Sequence, residues 1–145
     1  MKYTDWIIPR LRDLEQERAA LRNIPERIRT LELAFDGLRA SNMEGTVISG
    51  GENRREETML ANIAERNELK RNLEITRREV EQVDSALAKL SQDERLVLDR
   101  FYIHREHGHV DRLCEELGCE VANVYKVKNR ALVQLARSLH GQVTL

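Results

Sequence analysis

Aromatic residues make up only 4% of this chain, too few to suit a sheet core. No apolar run approaches the ~20 residues that a membrane-spanning helix needs. The opening stretch MKYTDWIIPRLRDLEQER also lacks the long apolar core of a signal peptide. These absences predict a cytoplasmic protein with no membrane partner. Cysteine is scarce as well: Cys114 and Cys119 are too few and too close together for a secreted disulfide framework, so reduced thiols are expected. Charge of one sign is missing, since the formal net charge is -1. A molecule basic all over is excluded, and any nucleic-acid contact has to come from a local patch.

Catalytic patterns are absent too. There is no nucleophile motif, no glycine loop ahead of a Lys-Ser or Lys-Thr pair and no obvious carboxylate set, so the chain reads as a non-enzyme without a cofactor. His104, His107 and His109 precede Cys114 and Cys119, residue types from which a zinc site can be drawn. Cys114 falls at a core position of a short helix, and a small buried thiol is the expectation there instead of a metal ligand.

What the chain has is 41% hydrophobic and 34% charged residues over 145 positions, with abundant Glu, Arg, Leu and Ala. That balance predicts an all-α protein, one domain or one small domain plus an extended element. From Asp5 to Arg39, Ile7, Leu11, Leu14, Leu21, Ile28, Leu31, Phe35 and Leu38 recur at helical spacing. Pro9 and Pro25 interrupt the pattern, which predicts a helix start near Pro9, a break near Pro25 and a kinked first arm. Residues 41–53, SNMEGTVISGGEN, carry no helical stripe and read as a loop longer than most helix connections.

In the second arm Leu69, Leu73, Thr76, Val80, Val83, Leu87 and Leu90 alternate in steps of four and three, with charges on the flanks. That is the seam of a coiled coil. Residues 1–90 are therefore expected to form a long, coiled-coil-like helical hairpin with its loop at 41–53. A single narrow seam leaves little core, which points to dimerisation.

A second region, 91–145, opens on a capping box of Ser91 and Glu94. Leu96, Val97, Leu98, Phe101 and Tyr102 are expected core residues, Gly108 a helix break, and Gly118 the end of a short helix that precedes a final longer one. Three helices with a tight glycine turn before the last make helix-turn-helix spacing. On the final helix Val124, Val127, Ala131, Leu132, Leu135 and Leu139 share one face, which turns Tyr125, Lys126, Asn129 and Arg130 away from the core. From Glu120 onward a single acid faces Lys126, Lys128, Arg130 and Arg137, a local basic patch. Val121, Ala122, Tyr125 and Lys126 are placed to meet base edges, with Asn123 and Lys128 better placed for the phosphate backbone.

The run LSQDERLVLDRFYI followed by VDRLCEELGCEVANVYKVKNRALVQL resembles the promoter-reading C-terminal region of bacterial sigma factors. The likeness lies in its opening Leu-Ser and Glu-Arg, its Leu117-Gly118 turn and its Arg-Ala-Leu-x-x-Leu ending, and it covers about a third of the chain. It implies that Val121, Ala122, Tyr125 and Lys126 face bases and that Arg130 sits near the phosphate backbone. Glu120 stands where that family carries a capping serine. Together, the helical pair, the loop and the terminal helix-turn-helix resemble the RinA and ArpU type of late-gene activators of phages and prophages.

That resemblance implies a regulator that binds double-stranded promoter DNA in the bacterial host cytoplasm, at the nucleoid, and activates transcription; with the thin seam it gives a homodimer, and RNA polymerase is a further expected partner. Two other readings stay open: a DNA-packaging subunit of the small-terminase type, and an adaptor that binds polymerase or another regulator.

Overall fold

The computed structural model describes residues 1–43, 51–143 and 145. Among them the chain forms five α-helices and one π-helical turn, with no strand: α1 (Thr4–Met43), α2 (Gly51–Ala88), α3 (Gln92–Leu98), the π turn Asp99–Ile103, α4 (His109–Leu117) and α5 (Val121–His140). The protein is all-α with two long N-terminal helices, as its composition predicts.

Two expectations need correction. The first arm neither starts near Pro9 nor restarts at Pro25, because α1 is unbroken from Thr4 to Met43. Its start is set upstream, where the Lys2 amide donates to the Asp5 carboxylate at 3.1 Å and the Asp5 amide donates to the Lys2 carbonyl at 3.0 Å. Both prolines are exposed, so water can reach the carbonyls of Asp5 and Leu21, which lose their usual donors four residues on. The loop expected at 41–53 is shorter, since Ser41–Met43 end α1 and Gly51–Asn53 begin α2; residues 44–50 lie outside the described residues. By contact the chain divides into one unit of residues 1–17 with 79–145, and a second of residues 18–78.

Residues 18–78 form an antiparallel arm. Arg27 pairs with Glu65 at 3.1 Å, and the Asn62 amide donates to the Leu31 carbonyl at 2.8 Å. The Arg55 guanidinium donates to the Ser41 hydroxyl at 3.4 Å, so position rises on one helix as it falls on the other. Ile28, Leu31 and Asn62 are its buried residues among those described, while Leu69, Leu73 and Thr76 of the predicted seam are half-buried. The seam reaches further upstream than its apolar members show. Steps of four and three from Leu69 lead back to Arg66 and Asn62, and the Arg66 Nε donates to the Asn62 Oδ1 at 2.8 Å while its guanidinium lies 4.9 Å from the centre of the Phe35 ring. A polar seam residue satisfied on both its amide atoms favours one register over its neighbours.

The other unit is packed more deeply. Ile7, Leu11 and Leu14 of α1, Val83 of α2, Val97 and Leu98 of α3, Leu113 of α4, and Val124 and Leu135 of α5 are all at most 1% exposed. Trp6 stacks on His140 with ring centres 3.8 Å apart, fixing the start of α1 against the end of α5. His104 adds a second tie: its Nδ1 lies 2.7 Å from Asp99 Oδ1 and its Nε2 3.3 Å from Glu15 Oε1. The hydrogen bond to Asp99, the charges of Asp99 and Glu15, and a weaker bond to Glu15 raise the imidazole above its ordinary value.

Candidate nucleic-acid interface

The start of α3, the end of α4 and the start of α5 each have a local cause. Ser91 accepts the Glu94 amide at 3.2 Å and the Glu94 carboxylate accepts the Ser91 amide at 3.3 Å, which completes the expected capping box and starts α3. α4 ends because Gly118 takes a left-handed φ of 63°, a conformation costly for a residue with a Cβ. The Cys119 amide then returns to the Cys114 carbonyl at 3.2 Å. Glu120 is extended and its side chain makes no capping bond. Its backbone carbonyl nevertheless accepts the amides of Asn123 and Val124, and α5 begins. A helix, a three-residue turn and a second helix result.

The inner face of α5 follows the predicted spacing. Val124, Ala131, Leu132 and Leu135 are buried, joined by Ala136, while Val127 and Leu139 are half-buried. Val124 belongs to a cluster with Val97, Phe101 and Leu113, so α3, the π turn, α4 and α5 all contribute to holding this helix.

On the outer side Val121, Ala122, Asn123, Tyr125, Lys126, Asn129 and Arg130 are exposed. Helical spacing aligns Ala122, Lys126 and Asn129 in one outward stripe. Tyr125 flanks it, and its ring stands edge-on to Phe101 at 5.7 Å with 41% of the residue exposed. Held in this way, the ring loses little rotamer freedom on meeting a ligand.

Two predicted contact residues have other work within the fold. Lys128 is half-buried, with its Nζ 5.4 Å from the Phe101 ring centre and 5.0 Å from that of Tyr125. Cation–π contact with both rings makes it a brace for Tyr125 as well as a local positive charge. Arg130 lies with its Nε 3.8 Å from Oε2 of Glu94. That oxygen is buried and accepts no hydrogen bond, so Arg130 compensates an interior carboxylate and is only partly available to a phosphate.

Sequence reasoning missed the links from Glu94 to Arg130 and from Phe101 to Lys128, because both join residues far apart in the chain. The capping box already located Glu94 but said nothing of its second oxygen. Phe101 is a hub that the apolar pattern alone does not reveal: it meets His109 edge-on at 4.7 Å and Tyr102 at 5.9 Å.

Cys114 and Cys119 are free and half-buried beside this core, and desolvation, followed by the neighbouring Cys119 and Asp111, pushes the Cys114 thiol up. Among the described residues no three His, Cys, Asp or Glu side chains gather in a metal-holding group. Nor is any described helix long and apolar enough to cross a membrane. Comparison of the chain with protein-family models, with curated proteins and with solved structures finds no match.

Proposed function

We propose that the protein is a sequence-specific regulator of transcription that binds double-stranded DNA as a homodimer, with the N-terminal half of α5 entering the major groove. The observation that carries this reading is the outward stripe of Ala122, Lys126 and Asn129 beside a braced Tyr125, on a helix whose opposite face is buried. Asn129 suits the donor and acceptor edge of adenine, Lys126 suits guanine or a phosphate, and Ala122 and Val121 suit a thymine methyl. The resemblance to promoter-reading sigma regions supports the same orientation. The separate resemblance of the whole arrangement to the RinA and ArpU type favours the phage or prophage late-gene activator as the particular kind of regulator, working at the bacterial nucleoid, with RNA polymerase as a further partner.

The test is selection of bound duplexes from a randomised library, followed by fluorescence anisotropy on the enriched sequence at several salt concentrations. The expected result is one enriched motif with a repeated half-site. Lys126→Ala should weaken binding and, if it meets a phosphate, reduce the salt slope by about one. Asn129→Ala should relax preference at one base pair, at a cost of about 1–3 kcal/mol in discrimination. No enrichment, with equal salt-insensitive binding by wild type and variants, would overturn the reading in favour of a protein adaptor.

A further inference from the structure

The arm formed by residues 18–78 exposes apolar surface that its own core does not use. Leu60 is 67% exposed and Ile63 37% exposed, and with Phe35, Glu56 and Met59 they line a shallow groove of about 350 Å³. Leu60 and Ile63 belong to a second stripe on α2, Glu56, Leu60, Ile63, Asn67 and Lys70, which advances in steps of four and three beside the inner seam. Every member of it is exposed. The arm buries Ile28 and Leu31 as its described apolar core, a thin core that association on a second face would extend.

The stripe has a symmetry that identifies its occupant. Glu56 and Lys70 stand seven residues to either side of Ile63, two helical turns in each direction. Rotating a second α2 by two-fold symmetry about an axis at Ile63 brings Ile63 onto its own copy. Glu56 of each chain then lies opposite Lys70 of the other. A surface that is apolar at its centre and carries opposite charges at equal distances is complementary to itself, as a two-fold interface requires.

We propose that this face of α2 is the dimer interface of the protein, with the two copies of α2 packed antiparallel about Ile63 and the Phe35–Met59 groove facing the partner's Ile63 and the partner's Asn67. The inference rests on the homodimer part of the functional reading and not on DNA binding.

Sedimentation equilibrium of the full chain without DNA tests it. Wild type should be dimeric, and a Leu60→Glu, Ile63→Glu double variant should weaken association by at least about 100-fold while keeping its helical circular dichroism. Glu56→Lys alone and Lys70→Glu alone should each weaken it by about tenfold, and the two together should restore it to within about threefold of wild type.

A wild-type monomer, a larger ring, or a dimer indifferent to Leu60→Glu, Ile63→Glu would overturn the proposal. Single charge reversals that do not rescue each other would overturn the antiparallel arrangement. DNA binding is read separately. A dimer with the expected charge rescue that ignores every duplex would sink the regulator reading and leave this interface standing, whereas a DNA-binding monomer would sink this interface with the homodimer part of that reading and leave DNA binding standing.

Discussion

The two compact units of this chain are built from the same residue vocabulary and yet are stabilised differently. In residues 1–17 with 79–145, side chains from all five helices meet at nearly zero exposure, and two links between distant segments, Trp6 on His140 and His104 on Glu15, tie the start of α1 to the C-terminal region. In residues 18–78 two helices meet along one seam with a buried asparagine, and large apolar residues such as Leu33, Leu60 and Ile75 stay exposed. Five converging segments can enclose a side chain completely; two helices can cover each other along only one stripe. A deep core holds α5 in place, and a thin one leaves apolar surface for the association we propose.

Core truncation should separate the units most strongly. Leu113→Ala, fully buried among Val97, Phe101 and Val124, is expected to cost about 3 kcal/mol. Ile28→Ala, at the edge of a thin seam, should cost less than about 2 kcal/mol. Urea denaturation followed by circular dichroism measures both, and equal losses would erase the distinction.

Asn62→Leu probes what the arm gains from its polar seam residue. Little net change in stability is expected, within about 1 kcal/mol, because the two hydrogen bonds are exchanged for apolar burial. Single register between the two helices of the pair should be lost, seen as more than one set of amide resonances for residues 18–78 by NMR. A variant that remains uniform would show that Asn62 has no specifying role.

Ser91→Ala removes the capping hydroxyl at the start of α3 and should destabilise the larger unit by about 1 kcal/mol. Thermal unfolding monitored by circular dichroism would detect the shift, and an unchanged melting temperature would mean that α3 is held by packing alone.

The smallest effect depends on pH. His104 is raised above its ordinary value of 6.5, so its contribution is fully present below pH 6.5 and is lost as pH rises through the higher folded value. His104→Gln should therefore flatten the decline in urea midpoint across that window while leaving the arm unaffected. A decline unchanged by the substitution would assign it to other groups.

The opening helices and their seam were legible because Val80, Val83, Leu87 and Leu90 repeat at a period that only a helix satisfies, and they are buried as that period requires. The capping box at Ser91 and the glycine ending of α4 were legible for a similar reason: each is a bargain between residues three or four positions apart. Pro9 and Pro25 misled, because a proline ring on the exposed side removes one hydrogen bond without ending a helix that neighbours hold in place. The outer residues of α5 were identified from the buried face opposite them, but the separate duties of Lys128 and Arg130 were not.

Sequence alone determined the local matters: helical class, the turn at Gly118, the capping of α3 and the division of α5 into an inner and an outer face. Only the tertiary structure decided which distant groups share an environment. It brought residues 1–17 into the same unit as the C-terminal helices, stood Tyr125 against Phe101, and set Arg130 beside the buried oxygen of Glu94. The physical reason is range. Hydrogen bonding and side-chain periodicity within a helix act over three or four residues, whereas burial and ion pairing depend on distance in space, which the order of residues does not state.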